Sequence, residues 1–355
     1  MEYKQLGDYI REVNVRNREL KVTRLVGLTI DKAFIPSVAN VIGTDLSNYK
    51  VICREQFACS LMQVSRDGKM PVAMFEEDEA IMSPAYPMFE VVDKTKLLPQ
   101  YLMMWFSRSE FDREASYYAV GGVRGSLTWE DFCNMQLPVP SIERQREIVS
   151  EYETLTRRIR LNEQMIEKLE TTAQALYRHT FVDNIDKQNL PQGWRMGTLG
   201  DICEIKYGKA HEGIPAGTIP IFGSGGVMRY GNKALYQNPS VLIPRKGSLN
   251  NIMYVDKPFW TVDTMFYTET IIPKALKYLY LYLKQFDFLA MDVGSAVPSM
   301  TSLSLKQTEM IIPDERTLNI FDSQVQIILN DIDLRQLENK KLTELQSLLL
   351  AKMGK

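Results

Sequence analysis

Residues 137–181, LPVPSIERQREIVSEYETLTRRIRLNEQMIEKLETTAQALYRHTF, leave this chain few ways to fold. Apolar side chains recur at steps of four and three: Ile148, Tyr152, Leu155, Ile159, then Ile166, Leu169, Ala173 and Leu176. One place in the series, Asn162, is polar. This is the a/d seam of a coiled coil, sustained for about four heptads. Pro140 stops the preceding strand, and Ser141, with Glu143 in the first turn, suits a helix N-cap. At 1.5 Å per residue the helix is roughly 55–60 Å long, too long for the core of one small domain.

The stretch occurs twice. Adding 173 to each seam position gives Phe321, Val325, Ile328, Ile332, then Asn339, Leu342, Gln346 and Leu349. Asn162 maps to Arg335, so the polar interruption recurs, and Pro140 maps to Pro313. Upstream, Gly121, Ser126, Leu127 and Thr128 map to Gly294, Ser299, Met300 and Thr301. The two halves also open alike, on Leu6-Gly7-Asp8 and Leu199-Gly200-Asp201. The chain reads as a tandem duplication. Its expected parts are a globular block over 1–140, a helix over 141–182, a second block over 183–313 and a second helix over 314–355.

Within the first block, strands are expected near residues 3–13, 21–29, 49–54, 57–64, 71–75 and 86–92, with a turn at Arg66-Asp67-Gly68-Lys69. A helix from Pro99 carries Tyr101, Leu102, Trp105 and Phe106; a shorter one covers 111–117. In the second block the strands are 201–205, 219–222, 241–244, 252–255, 265–272 and 310–312, with a helix over 274–286. Many short strands and few helices predict an α+β fold: two tandem mixed α/β domains separated by two long helices that pair as an antiparallel coiled coil. Such pairing would set the two blocks at opposite ends of a rod, as in a symmetric dimer that reads two half-sites.

The 355 residues hold two or three domains with cores of their own. No run of about 18 apolar residues and no signal-peptide core is present, so a cytoplasmic protein without membrane contact is expected. Four cysteines without CxxC spacing read as free thiols rather than disulfides or a metal site. The net charge of −2 excludes a uniformly basic DNA-coating protein; any DNA contact must use local basic patches or partner subunits.

These features together resemble the specificity subunit of type I DNA restriction-modification systems, over the whole chain. The motifs that carry the resemblance are the two LGD starts, the Gly-x-x-x-x-Ser-[Leu/Met]-Thr loops and the strand-to-proline segments LPVP and MIIP. To these belong the helices IERQREIVSEYETL and DERTLNIFDSQVQII. The resemblance implies two target-recognition domains, each reading one half of an asymmetric bipartite site in double-stranded DNA. It also implies helices that dock two methyltransferase subunits, with restriction subunits joining the larger complex. The second helix departs from the first at Thr317-Leu318, where the first has Gln145-Arg146, so docking there can differ.

Catalytic constellations are missing from the sequence. Ser83-Pro84-Ala85-Tyr86 lacks the second proline of an adenine methyltransferase motif, and no glycine-rich methyl-donor loop precedes it. Gly223-Ser224-Gly225-Gly226 lacks the lysine of a P-loop and reads as a turn or a DNA-backbone loop. The two histidines, His179 and His211, suit a helix end and a surface better than a general base. No catalytic residue, cofactor or metal is expected.

Arginine and lysine pair with guanine, asparagine with adenine, and all of them with phosphate. The candidate DNA contacts are Arg66, Lys69 and Arg124 in the first block. In the second they are Arg229, Arg245, Lys246, Asn250 and Asn251, four of them in one turn, PRKGSLNN. The coiled-coil set is Ile148, Leu155, Ile159, Asn162, Ile166, Leu169 and Leu176, with Phe321, Val325, Ile328, Ile332, Arg335, Leu342 and Leu349. Asn162 and Arg335 suit a polar contact that sets register. The alternative to DNA recognition is a non-catalytic coiled-coil adaptor that binds proteins or glycans.

Overall fold

A computed structural model describes residues 3–37, 43–62, 64–120, 125–183, 185–286, 288 and 301–354. The chain forms two compact units: Met1–Leu161 with Leu337–Lys355, and Asn162–Gln336. The helix α5, Ile142–Phe181, and the helix α9, Glu315–Lys352, each contribute to both.

Unit 1 opens with β1, Tyr3–Gln5, which pairs antiparallel with β10, Gln136–Pro138. Its main sheet is formed by β2 (Ile10–Val13), β6 (Phe57–Cys59), β7 (Val72–Met74) and β9 (Met88–Val91), in the order β2-β9-β6-β7, all antiparallel. A hairpin, β3 (Val26–Leu28) with β4 (Phe34–Pro36), and a pair, β5 (Lys50–Cys53) with β8 (Glu79–Met82), complete the strands. The helices are α1 (Val64–Asp67), α2 (Pro99–Phe106), α3 (Ser109–Ala119) and α4 (Trp129–Asn134). Pro99 starts α2, where its fixed φ and missing N–H cost nothing. Tyr101, Leu102 and Phe106 of α2 join Phe57, Phe89, Phe111 and Phe132 in the main core, each fully buried or nearly so. Each such aromatic contributes about 1.5–3 kcal/mol on leaving water.

Unit 2 repeats the plan. β11 (Arg195–Thr198) pairs antiparallel with β19 (Glu309–Ile312). The main sheet has β12 (Cys203–Tyr207), β15 (Ser240–Pro244), β16 (Met253–Val255) and β18 (Met265–Thr270), in the order β12-β18-β15-β16, again antiparallel. The hairpin after the first sheet strand is β13 (Ala216–Gly223) with β14 (Gly226–Gly231); β17 (Trp260–Thr261) lies parallel to β13. Among the described residues, three short helices, α6 (Leu199–Ile202), α7 (Leu276–Leu283) and α8 (Ser302–Lys306), complete the unit.

The duplicated residues do duplicated work. Thr128 caps α4, its hydroxyl accepting from the Asp131 N–H at 3.0 Å, and Thr301 caps α8, accepting from the Ser304 N–H at 3.1 Å. Tyr101 donates to the Pro138 carbonyl and Tyr278 to the Ile311 carbonyl, 3.2 and 2.5 Å away, so each core tyrosine ties a helix to the strand that leads into a long helix. Gly121, Gly294, Ser299 and Met300 of the repeat lie outside the described residues. Three sequence expectations are corrected. Residues 21–25 lie outside β3. Asp201 accepts from the Thr198 N–H and closes a capping box, so it sits in α6 and the strand begins at Cys203. Val64 to Asp67 form one helical turn, ended by Gly68 at a left-handed φ of 66°.

The long helices pair within each unit. In unit 1, Gln346 donates to Thr156 at 2.7 Å and Arg158 binds Glu338 at 2.8 Å: numbers rise on one helix as they fall on the other, so the pairing is antiparallel. Ile148 is buried there, and Leu155, Ile159, Leu342 and Leu349 are half-buried. In unit 2, Asn162, Ala173, Phe321, Val325 and Ile332 are buried, and Ile166, Leu169, Leu176, Ile328 and Arg335 are half-buried. Ser141 caps α5 through the Arg144 N–H at 3.3 Å, and Asp314 caps α9 through the Thr317 N–H at 3.0 Å. The departure at the start of the second helix has a packing counterpart. In unit 1 the fully buried Gln145 amide bridges Leu98, Lys96 and Pro140 backbone groups; in unit 2 the apolar Leu318 is buried, and a buried Lys277–Asp322 ion pair fastens α7 to α9.

Candidate nucleic-acid interface

The shared sheet order puts the two candidate basic segments in one structural place. Arg66 and Lys69 lie between β6 and β7, the third and fourth strands of the unit 1 sheet. Arg245 to Asn251 lie between β15 and β16, the third and fourth strands of the unit 2 sheet. Sequence comparison of the two halves does not reveal this match, because the loops share neither length nor residues.

In unit 1, the Ser65 hydroxyl donates to the Gly125 carbonyl at 3.5 Å and the Leu127 N–H to the Leu61 carbonyl at 2.8 Å, so the β6–β7 loop runs beside residues 125–127. Arg124 lies outside the described residues, and of Arg66 only the backbone, in α1, is described. Lys69 is exposed and pairs with Asp31 at 3.0 Å.

In unit 2, the Arg245 guanidinium lies over the Tyr207 ring, 5.4 Å from its centroid, and donates to the Asp263 carbonyl at 3.2 Å. These contacts fix a planar fork at the loop's edge, and a held arginine loses less entropy on binding than a free one. Tyr207 itself is 49% exposed, rests its ring on Phe266 and shares a 3.1 Å hydrogen bond with Ser302. The sequence reading missed it; an exposed tyrosine at a strand end gives no signal until Arg245 is seen above it. Lys246 is exposed. The Asn250 carbonyl oxygen accepts from the Phe288 N–H at 2.9 Å, and the Asn251 amide donates to the Ser224 carbonyl at 2.8 Å, so both side chains hold the loop itself. Arg229 stands apart, its guanidinium donating to the Ile214 carbonyl at 3.0 Å and meeting His211 Nδ1 at 3.3 Å.

Among the described residues no three His, Cys, Asp or Glu side chains gather as metal ligands, and no helix is long and apolar enough to cross a membrane. Gly223–Gly226 is the tight turn of the β13–β14 hairpin, with Gly226 at φ 118°. Ser83 to Tyr86 is likewise a turn, closed by the Tyr86 N–H to the Ser83 carbonyl at 3.3 Å.

Comparison with known proteins decides the family. The type I restriction modification DNA specificity domain matches residues 65–171 and again 191–347. The chain belongs to this family. It is a type I restriction-modification DNA specificity subunit, built of two tandem α+β domains and two long helices. The Type I restriction enzyme HindI specificity subunit of Haemophilus influenzae (strain ATCC 51907 / DSM 11121 / KW20 / Rd) is 20% identical over 359 aligned positions, which span 72% of this chain and 77% of that protein. The crystal structure of a type I restriction-modification S subunit from M. genitalium superposes with a TM-score of 0.66 at 13% identity, covering 100% of this chain and 96% of that one. At that identity the likeness speaks for the fold. The second match spans the unit 2 sheet and most of α9; the first takes in β7, β9 and most of α5 but begins after β2 and β6.

Proposed function

We propose that each unit reads one half of an asymmetric, bipartite target in double-stranded DNA. In this reading residues 1–140 and 183–313 are the target-recognition domains, and 141–182 and 314–355 are the helices that space them and dock two methyltransferase subunits. Restriction subunits join through that assembly, in the cytoplasm, and the chain performs no chemistry itself. The observation that carries the reading is the common place of the two basic loops, β6–β7 and β15–β16, in otherwise equivalent sheets. Equivalent placement is what two half-site readers on one duplex require. Different residues in the two loops mean different half-sites.

For Arg245, Asn250, Asn251 and Arg229 the contact roles follow from what each side chain already touches. Arg245, held over Tyr207, suits bidentate pairing with guanine; Lys246, Lys69, Arg66 and Arg124 suit phosphates. Asn250 and Asn251 shape the loop, and Arg229 braces the 211–214 turn. The test is a gel shift of the chain assembled with its methyltransferase subunit, at two salt concentrations, followed by mapping of methylated bases. A steep fall in affinity with salt and one bipartite methylated sequence are expected. Salt-independent binding, or methylation without a sequence preference, would refute the reading.

A further inference from the structure

The two units share a second juxtaposition, and the sequence repeat does not carry it. In each, the tip of the hairpin that follows the first sheet strand is tied to the loop between the third and fourth. In unit 1 the tie runs from the β3–β4 turn. Asp31 pairs with Lys69, and Lys32, at a left-handed φ of 63°, turns its ammonium inward to Asp112 at 2.8 Å. It also reaches the Phe106 carbonyl and lies 5.0 Å from the Phe111 centroid. Asp112 in turn accepts from the Met70 N–H at 3.1 Å, so one carboxylate joins hairpin and loop. In unit 2 the Asn251 amide holds the Ser224 carbonyl in the β13–β14 turn, and Gly247, at φ 83°, backs onto the same serine; a Cβ there would lie 2.7 Å from Ser224 Oγ.

The ties use unrelated residues to reach the same result. A lysine side chain only 9% exposed is costly to bury, and burial lowers the Lys32 pKa, so the tie is not incidental surface chemistry. Binding residues sit disproportionately on loops that a rigid scaffold positions. Each tied tip also carries apolar side chains into solvent: Ile30 is 41% exposed in unit 1, and Met228 58% in unit 2. The thymine methyl is the apolar group of the major groove, and apolar side chains read it.

We infer that in each unit the hairpin tip is the second half of the base-reading surface, with Ile30 and Met228 set against thymine methyls and Lys32–Asp112 and Asn251 as positioning residues. This rests on the reading above. The experiment uses the complete complex and libraries randomised in one half-site at a time, with methylation as readout. Met228→Ser and Ile30→Ser are surface changes that leave folding intact. Each should erase a thymine preference in one half-site, a different half-site for each, by about tenfold. Deoxyuridine in place of that thymine should weaken wild type and leave the serine variant unaffected. Asn251→Ala should loosen preferences in the Met228 half-site only, and Lys32→Met in the other. Unchanged base preferences for both serine variants, or a uniform loss over all sequences for the tie variants, overturns the inference. Arg245→Ala is the control: if it shifts one half-site while the tips do not, only the inference falls; if it shifts neither, the reading beneath it falls.

Discussion

Arg335 donates to Asn162 across the helix pair, Nη1 to Oδ1, at 3.2 Å, and the two occupy equivalent positions of the duplicated sequence. Asn162 is 1% exposed, so this polar contact sits inside an otherwise apolar seam. Such contacts fix register and orientation at a cost in stability. Asn162→Ala takes one acceptor from a guanidinium that Asp331 also holds at 3.1 Å, and should destabilise by about 1 kcal/mol. Asn162→Leu combined with Arg335→Leu removes both seam groups, leaves the half-exposed Asp331 to solvent, and should be at least as stable as wild type. Thermal unfolding of the three chains checks this; equal loss in the single and double variants would show that the contact contributes nothing of its own.

Arg245→Ala should weaken discrimination at one base pair of one half-site by about 1–3 kcal/mol and leave the other half-site unchanged. Tyr207→Leu should give a smaller loss at the same base pair, because it frees the guanidinium that the ring holds. Quantitative methylation over single-base target variants is the measurement. Equal loss at every base would make Arg245 a phosphate contact.

The two long helices, α2, α3, α7, the duplication and the main sheet strands were legible because period, spacing and repeat are local in sequence. The seam from Ile148 to Leu176 announces itself through its spacing. β4, β8, β11, β14 and β17 were not expected, nor were the short helices α1, α4, α6 and α8. Glu79–Met82 follows a run of acids, and Gly226–Gly231 mixes glycine with solvent-facing apolar residues, so neither has the strict alternation of a half-buried strand. At the candidate interface, residue chemistry found Arg245 and Lys246 but could not tell a reading asparagine from a structural one. That distinction depends on the Phe288 N–H and the Ser224 carbonyl, 38 and 27 residues away.

Asp314 links helix capping to pH. Its carboxylate accepts from the Thr317 hydroxyl and N–H and from the Trp194 indole, and these bonds hold its pKa below the usual carboxylate value. A depressed folded pKa gives stability that is present above the unfolded value, about 4, and is lost as pH falls through the folded one. Asp314→Ala should therefore cost about 1 kcal/mol near neutrality and progressively less below about pH 4. Denaturant unfolding at pH 7 and pH 3 makes the comparison; a constant difference would mean the charge is irrelevant to the cap.

Ile159→Asp puts a carboxylate into the half-buried apolar seam of unit 1. The expected loss is several kcal/mol, with unfolding of the helix pair and failure to assemble with the methyltransferase subunit. Unchanged melting and assembly would mean that the seam is misassigned.

A chain stopped after Phe181 tests duplication and seam together. It keeps the unit 1 sheet and all of α5, and loses Leu337–Lys355, which in the intact chain closes that unit. Met353 is 2% exposed in its core, Leu350 packs beside it, and the Gly354 carbonyl accepts from the Tyr3 hydroxyl at 3.0 Å. A second copy can supply the missing helix, because α5 itself has the same seam. By the 173-residue offset, Tyr177 would take the place of Leu350 and Thr180 that of Met353, while Asn162 would meet Asn162 of the other copy. Antiparallel pairing of identical helices is isologous and closes at two. The dimer should be weaker than the intact pairing: the linked chain holds its halves at high effective concentration, and threonine fills less of the core than methionine. With two copies of one recognition unit, the methylated target should become a palindrome of a single half-site. Light scattering on the truncated chain, then methylation mapping with the methyltransferase subunit, gives the answer. A monomer would overturn the seam argument, and an unchanged asymmetric target would overturn the assignment of one half-site to each unit.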